Sequence, residues 1–423
     1  MTFNIITLGC KVNSYESNVM KEKLIDSGYQ YTDSENADIF IINTCTVTNQ
    51  ADNKSFKMIR HAKKNNPNSI IIVVGCLVES NRKKVEEMDF VDIIIGNVGK
   101  SRIVEYIERF KKSLNPLKEE DIMHTKFETM TLNNFDKTRA FVKIQDGCNN
   151  FCSYCIIPFT RGNVRSKKRE DVLLEVTDLV RNGHKEIVLT GIHTGNYGAE
   201  FDNYKFVDLL KDLVKIPNLE RIRISSIEMN EINDEIIDLF KNNDILVDHI
   251  HMPIQSGSNN VLKNMHRKYK KEEFISKVEK IRNVRPNISI TTDLIVGFPG
   301  ETEENFDETI DTLKKVNFSK IHVFPYSKRN GTLAARMDNQ IDEKIKKQRV
   351  KKILELSHEL EKNYMNKFVG SEVIFIPEVE KNGYIIGHTG NYLQIKTIGT
   401  KEDLNKNKIV KIVDIEYPYC IGK

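Results

Sequence analysis

Unbroken runs of β-branched residues constrain this chain more than anything else in it. Phe3–Leu8, Asp38–Thr44, Ser69–Val74 and Asp92–Ile95 read as strands whose isoleucines and valines do not alternate with polar residues. A strand wetted on one face alternates with period two, whereas one covered on both faces does not. Between the runs, Ser14–Ser27, Asn53–Asn65 and Ser80–Met88 carry helical spacing with polar faces. This repetition predicts an open, doubly wound parallel α/β sheet over residues 1–135. Lys111 to Asp136 lose the periodicity, so a linker with some edge structure is expected there.

Residues 138–367 repeat the strand–helix unit six times. Strands are predicted at Ala140–Gln145, Glu186–Thr190, Arg221–Ser226, Asp248–Pro253, Ser289–Val296 and Lys320–Tyr326. The helices that follow them are Arg169–Asn182, Phe206–Val214, Asp234–Lys241, Lys271–Asn283, Glu303–Lys315 and Glu343–Lys367. Six such units with right-handed crossovers curl into a partial parallel barrel with its chemistry at the carboxyl ends of the strands. Over residues 368–423 the period changes. Glu372–Ile376, Tyr384–His388, Tyr392–Thr397 and Ile409–Glu416 predict a small antiparallel β-barrel. Such a barrel binds nucleic acid or serves as a structural cap. From Lys367 to Lys423 there are eight basic and seven acidic residues, so it carries no electrostatic stripe.

With 39% hydrophobic and 29% charged side chains, collagen-like and disordered chains are excluded. The longest nearly apolar run, Ser69 to Val78, is far short of the roughly 20 residues a membrane helix needs. The amino terminus shows no secretory leader. A cytoplasmic protein without membrane contact is expected, and such a compartment keeps its seven cysteines reduced. Ligation or catalysis is then the better reading of any cysteine cluster.

Cys148, Cys152 and Cys155 have C-x3-C-x2-C spacing, in the loop after the first barrel strand. Four-iron clusters usually take four cysteines; three leave one iron open, as in a catalytic rather than a structural site. A zinc knuckle is the alternative, but structural zinc favours paired C-x2-C units. Cys10, Cys45 and Cys76 lie 35 and 31 residues apart, yet each falls one or two residues past a predicted strand. Neighbouring parallel strands end side by side, about 4.8 Å apart, so three thiols can converge there. Three unrelated buried cysteines are the alternative. Gly9 and Gly75 suit tight turns around a cluster. Other strand ends could complete a pocket: Thr190 and Gly191, Ser226 and Glu228, Gln255, and Asp293 to Gly297. Each glycine among them also serves as ordinary turn punctuation.

Two triads, one in an α/β domain and one in a partial barrel, followed by a small β-barrel, resemble the radical S-adenosylmethionine methylthiotransferase family. The resemblance covers essentially the whole chain. It rests on TLGCKVNSYESN (7–18), INTCTVTNQADNKS (42–55), IQDGCNNFCSYCIIPFTRGNVRS (144–166), LTGIHTGNYG (189–198), RISSIE (223–228), HMPIQSGSNNVLKNMHRKY (251–269) and DLIVGFPGETEENF (293–306). The wording around Cys10 and Cys45 looks most like the branch acting on threonylcarbamoyladenosine in transfer RNA. Sister branches act on isopentenyladenosine or on a ribosomal protein aspartate.

The resemblance implies two 4Fe–4S clusters and S-adenosylmethionine. The catalytic Cys148, Cys152 and Cys155 would hold the cluster that generates a radical, and Cys10, Cys45 and Cys76 the cluster that donates sulfur. Tyr154 would pack over the cofactor adenine, or else simply on the barrel rim. Thr190, Gly191, Ser226, Glu228, Gln255, Asp293 and Gly297 would line the cofactor site. The last barrel is similar to the RNA-binding domain called TRAM. The implied substrate is the anticodon stem-loop of tRNA at position 37, the implied electron donor a flavodoxin or ferredoxin, and the expected state a monomer.

Phe141 to Arg169 contains six basic residues and one acidic, which marks Arg161, Arg165, Lys167 and Lys168 as candidate phosphate contacts. A second basic run, Lys344 to Lys352, reads as a solvated helix face. Three features depart from the family pattern: Leu77-Val78-Glu79-Ser80 after Cys76, the short and nearly neutral last barrel, and Cys420, read as an incidental thiol. A non-enzymatic iron–sulfur carrier or RNA sensor is the reading of another class. It would normally saturate each cluster with four cysteines.

Overall fold

The computed structural model describes residues 1–113, 117–118 and 126–423; part of the expected linker, residues 114–116 and 119–125, lies outside the described residues. The amino-terminal strands are β1 (Thr2–Thr7), β2 (Gln30–Tyr31), β3 (Ile39–Thr44), β4 (Ile70–Gly75), β5 (Ile93–Ile95) and β6 (Leu117–Lys118). They form one sheet in the order β2-β1-β3-β4-β5-β6, parallel throughout. Helices α1 (Lys11–Asp26), α2 (Asn49–Asn65), α3 (Cys76–Glu86) and α4 (Ile103–Ser113) cover it. β3 is buried along its whole length, and separate apolar cores lie on the two sides of the sheet. That double burial is why the isoleucine runs do not alternate.

The central unit opens with β7 (Arg139–Lys143), β8 (Gln145–Asp146), α5 (Ile157–Arg161), β9 (Arg165–Ser166) and α6 (Arg169–Arg181). It continues through β10 (Glu186–Thr190), α7 (Phe206–Leu213), β11 (Arg221–Ile224), α8 (Asp234–Asn242), β12 (His249–His251), α9 (Asn259–Asn264) and α10 (Lys271–Val284). It closes with β13 (Ser289–Val296), α11 (Glu303–Val316), β14 (Lys320–Pro325) and α12 (Glu343–Asn366). The six expected strands are present, but as two three-stranded parallel sheets, β7-β10-β11 and β12-β13-β14. A single parallel bridge, Ile222 to Leu246, joins the region between them. β12 is shorter than expected; Pro253 offers no N–H to extend its ladder. Along these strands buried apolar residues (Val142, Leu189, Ile224, Ile250) alternate with buried polar ones (Lys143, Glu186, Arg223, His249). One face therefore packs on the helices, and the other is polar enough to receive a ligand.

β15 (Glu372–Lys381), β16 (Tyr384–Thr389), β17 (Gln394–Ile398), β18 (Lys408–Glu416) and β19 (Tyr419–Gly422) close into a barrel in the order β15-β16-β17-β19-β18. It is not wholly antiparallel, because β17 and β19 run parallel. Cys420 lies in its apolar core. Arginines from the central strands hold this barrel. Arg139 donates to Tyr392 Oη at 3.0 Å, and Arg223 pairs with Glu186 at 2.6 Å while donating to the Gly390 carbonyl at 3.1 Å.

Candidate metal centres

Register explains the first triad. Thr7 pairs with Asn43 and Thr44 with Gly75, so the loops bearing Cys10, Cys45 and Cys76 leave the same sheet edge. Cys45 and Cys76 are buried and Cys10 is exposed. Burial pushes the Cys45 thiol up to about 11, and the neighbouring Cys76 and Cys10 add to it. Gly9 has φ +98°, and a Cβ there would stand 2.7 Å from Cys45 Cβ and 2.9 Å from its Sγ. Asn97 Nδ2 lies 3.4 Å from Cys76 Sγ, and Asn13 Oδ1 lies 4.0 Å from Cys10 Sγ. Gly9→Ala is therefore expected to strain this loop by about 1–3 kcal/mol. That corresponds to roughly 5- to 150-fold weaker iron retention at this triad alone. Iron analysis on chains lacking the other triad checks it, and unchanged retention would refute it.

In the second triad, the Cys148 N–H donates to the Gly162 carbonyl at 3.1 Å and the Cys155 N–H to the Cys152 carbonyl at 2.9 Å. Gly147 has φ +71°, and a Cβ there would fall 1.9 Å from the Asn163 carbonyl oxygen. Arg267 Nη1 lies 3.5 Å from Cys152 Sγ, and His193 Nδ1 lies 3.7 Å from Cys148 Sγ. Burial pushes Cys155 up to about 12, with the two neighbouring thiols adding to it. His193 is raised to about 10: burial opposes its charge, but Cys148 and Glu231 outweigh that. Neither cation was expected from the sequence, although both lie in family-like stretches. They supply positive charge where thiolates need it.

Among the described residues, no three His, Cys, Asp or Glu side chains close around a point that a single ion could take. Three sulfur donors at each site, faced by cations and amides, fit an anionic iron–sulfur cluster with one iron left for an outside ligand.

The expected pocket residues fall into two groups. Glu228 joins the second triad through Arg267, which pairs with it while touching Cys152. Gly191 approaches Gln145, whose Oε1 accepts from the His193 N–H at 2.7 Å, and Thr190 lies buried beside it. Tyr154 packs on the apolar cluster of Val261, Met265, Phe298 and Tyr326. Gln255 pairs with Leu294, and Asp293 stands 3.4 Å from His251. Ser226 is half-buried just beyond β11. Gly297 has its own packing reason: a Cβ there would meet Lys346 Cγ at 2.4 Å.

Three of the four candidate phosphate contacts need correction. Arg161 is 1% exposed and bonds Glu16 and Asp146; Arg165, 8% exposed, lies 3.5 Å from Asp146; Lys167, fully buried, pairs with Glu175. Clustering along the chain brought them together, but carboxylates from other elements draw them inside. Only Lys168 of the four is exposed. In the second run, Lys344, Lys347, Lys351 and Lys352 are exposed as expected, whereas Lys346 and Arg349 are buried and paired.

The family model of the Radical SAM superfamily matches residues 142–313, and that of Uncharacterized protein family UPF0004 matches residues 2–96. A solved radical S-adenosylmethionine methyltransferase, TsrM from Kitasatospora setae, shares the fold with TM-score 0.57 and 13% identity, over 77% of this chain and 74% of its own. OxsB, a cobalamin-dependent S-adenosylmethionine radical enzyme, gives TM-score 0.52 and 14% identity over 86% and 56%. The family match and the fold thus place residues 142–313 in the radical S-adenosylmethionine superfamily.

The threonylcarbamoyladenosine tRNA methylthiotransferase MtaB of Bacillus subtilis is 43% identical over 99% of this chain and 95% of its own length. Its namesake in Thermotoga maritima is 37% identical over 95% and 92%. The tRNA-2-methylthio-N(6)-dimethylallyladenosine synthase of Clostridium tetani is 37% identical over 98% and 93%. The chain belongs to the radical S-adenosylmethionine tRNA methylthiotransferase family, whose cofactors are S-adenosylmethionine and two 4Fe–4S clusters. No described helix is long and apolar enough to cross a membrane.

Proposed function

We propose that this protein installs a methylthio group on C2 of N6-threonylcarbamoyladenosine at position 37 of tRNA, within the anticodon stem-loop. The observation that carries the reading is the 43% identity, nearly end to end, with the Bacillus subtilis threonylcarbamoyladenosine enzyme, against 37% for the dimethylallyladenosine synthase. The C2–H bond is not acidic enough for a side-chain base. The hard step therefore belongs to radical chemistry supplied by the bound cofactors, while the protein binds, orients and shields.

In this reading Cys148, Cys152 and Cys155 hold one cluster, and Arg267 and His193 balance its charge. Glu228, Thr190, Gly191, Ser226, Gln255 and Asp293 edge the polar face on which S-adenosylmethionine lies. Cys10, Cys45 and Cys76 hold the second cluster. The carboxyl-terminal barrel acts as a TRAM-like RNA grip, and the protein works as a cytoplasmic monomer with a flavodoxin or ferredoxin as reductant.

Nucleoside analysis of tRNA from a strain lacking the protein tests the substrate. Loss of 2-methylthio-N6-threonylcarbamoyladenosine, with its unthiolated precursor accumulating, is the expected result. Loss of the isopentenyl species instead would move the chain to the sister branch.

A further inference from the structure

We propose that Arg161 is a positioning residue of the Cys10–Cys45–Cys76 centre, a cation delivered by the loop of the other triad. The proposal rests on the reading that each triad holds a cluster. Arg161 ends α5, a helix that starts two residues after Cys155, yet its guanidinium reaches toward the amino-terminal sheet. Nη1 donates to Glu16 Oε1 at 3.0 Å and to Asp146 Oδ1 at 3.1 Å, and Nη2 donates to Asn13 Oδ1 at 2.8 Å.

Asn13 is the hinge of the arrangement. Its Nδ2 donates to the Leu8 carbonyl at 2.7 Å and to the Thr44 carbonyl at 2.9 Å, the backbone leading into Cys10 and Cys45. The third cysteine is tied to the same helix by a second amide. Asn97 Nδ2 lies 3.4 Å from Cys76 Sγ and donates to the Thr160 carbonyl at 2.7 Å, one residue before Arg161. All three loops of the first triad are thus bound to α5, and α5 is covalently continuous with the second triad.

Charge points the same way. Lys100, Lys143, Arg161 and Arg165 gather around Glu16 and Asp146, all buried. Glu79, which accepts from the Asn97 N–H at 2.7 Å, is the third carboxylate near them. Buried charge of either sign is costly unless a counter-charge adjoins it. The thiols of Cys76 and Cys10 lie close enough to act on Arg161 electrostatically, so thiolates there would face its positive charge. Hydrogen bonds and charge around cluster sulfurs set both cluster retention and potential.

The test uses full-length protein with Cys148, Cys152 and Cys155 replaced by alanine, so that only the first triad takes iron. Arg161→Met, Arg161→Lys and Asn97→Ala are made in that background. After anaerobic reconstitution, two readouts are followed: the rate of iron loss to a chelator, and the midpoint potential by EPR-monitored titration. Arg161→Met is expected to lose iron about 10- to 100-fold faster and to shift the potential downward, because the oxidised form has lost less favourable charge. Arg161→Lys keeps the charge but loses the fork to Asn13, so it should release iron faster with a potential near the parent's. A merely structural role would lower thermal stability and leave the potential unmoved, which overturns the proposal. If Arg161→Met does not fold, unchanged iron release in both Arg161→Lys and Asn97→Ala overturns it instead. A parent that takes up no iron refutes the underlying cluster reading itself, and is told apart from the other failures by appearing before any change at Arg161.

Discussion

Replacing Glu16 with alanine is expected to destabilise the protein by about 3–5 kcal/mol. Glu16 is completely buried and accepts from Lys100, from Lys143 at 2.7 Å and from Arg161 at 3.0 Å. Burial alone would raise its carboxyl, but Arg161, Lys100 and Lys143 outweigh that and hold it well below the usual range. Taking it away leaves Lys100 facing only the amide oxygens of Asn43 and Asn97, and leaves Lys143 and Arg161 to share Asp146, with no solvent near to screen them. Two of the three come from the central unit and one from the amino-terminal sheet, so the loss also loosens the docking of one on the other. Asp146 is depressed in the same way by Lys143, Arg161 and Arg165. A carboxylate depressed on folding stabilises above its unfolded pKa, near 4, and loses that contribution as pH falls through the folded value. The parent should therefore lose stability steeply below about pH 4, while Glu16→Ala starts lower and falls less steeply. Thermal melts at pH 7 and at about pH 3, below the unfolded pKa, check both halves. A variant melting within a degree or two of the parent at pH 7 would show that the cations find other partners.

That network also shows where the sequence stops speaking. Long strands covered on both faces leave an unmistakable trace: Glu186–Thr190 and Ser289–Val296 have the bounds their isoleucines and valines predict, and Ile39–Thr44 differs by one residue. The edge strands Gln30–Tyr31 and Leu117–Lys118 leave none, because two residues carry no period and their pairing is a tertiary event. Helix Ile103–Ser113 is different. Ile103, Tyr106, Ile107 and Phe110 recur at helical spacing and are buried, so the helical signal is present in the sequence. The cysteines could be read from their positions relative to strand ends. Their counter-charges could not. Arg161 looks like a surface cation beside Arg165 and Lys167, since nothing local announces that its partner Glu16 stands 145 residues away. A basic cluster in sequence is a statement about neighbours along the chain, and burial is a statement about neighbours in space.

Alanine at one cysteine of each triad is expected to separate two activities that the intact chain couples. Cys155→Ala should hold about four irons instead of about eight and form no 5′-deoxyadenosine from S-adenosylmethionine under reducing conditions. Cys45→Ala should also hold about four irons, yet continue to form 5′-deoxyadenosine while adding no methylthio group to tRNA. The separation follows from where the loops sit. Cys45 leaves the edge of the amino-terminal sheet, and Cys155 belongs to the loop between β8 and α5, held by its own bonds to Cys152 and to the rim. Among the links between them are the grips of Asn13, Asn97 and Glu16 on α5 and the bonds of Arg329 to Thr46 and Asp52, side-chain contacts in which the Cys45 thiol takes no part. Cys420, deep in the carboxyl-terminal barrel, serves as the control, and its replacement should change neither iron nor product. Should Cys45→Ala abolish 5′-deoxyadenosine as well, the triads would have to act as one centre, and the division of labour between them would be wrong. Should it retain full methylthio transfer, the first triad would hold nothing the reaction needs.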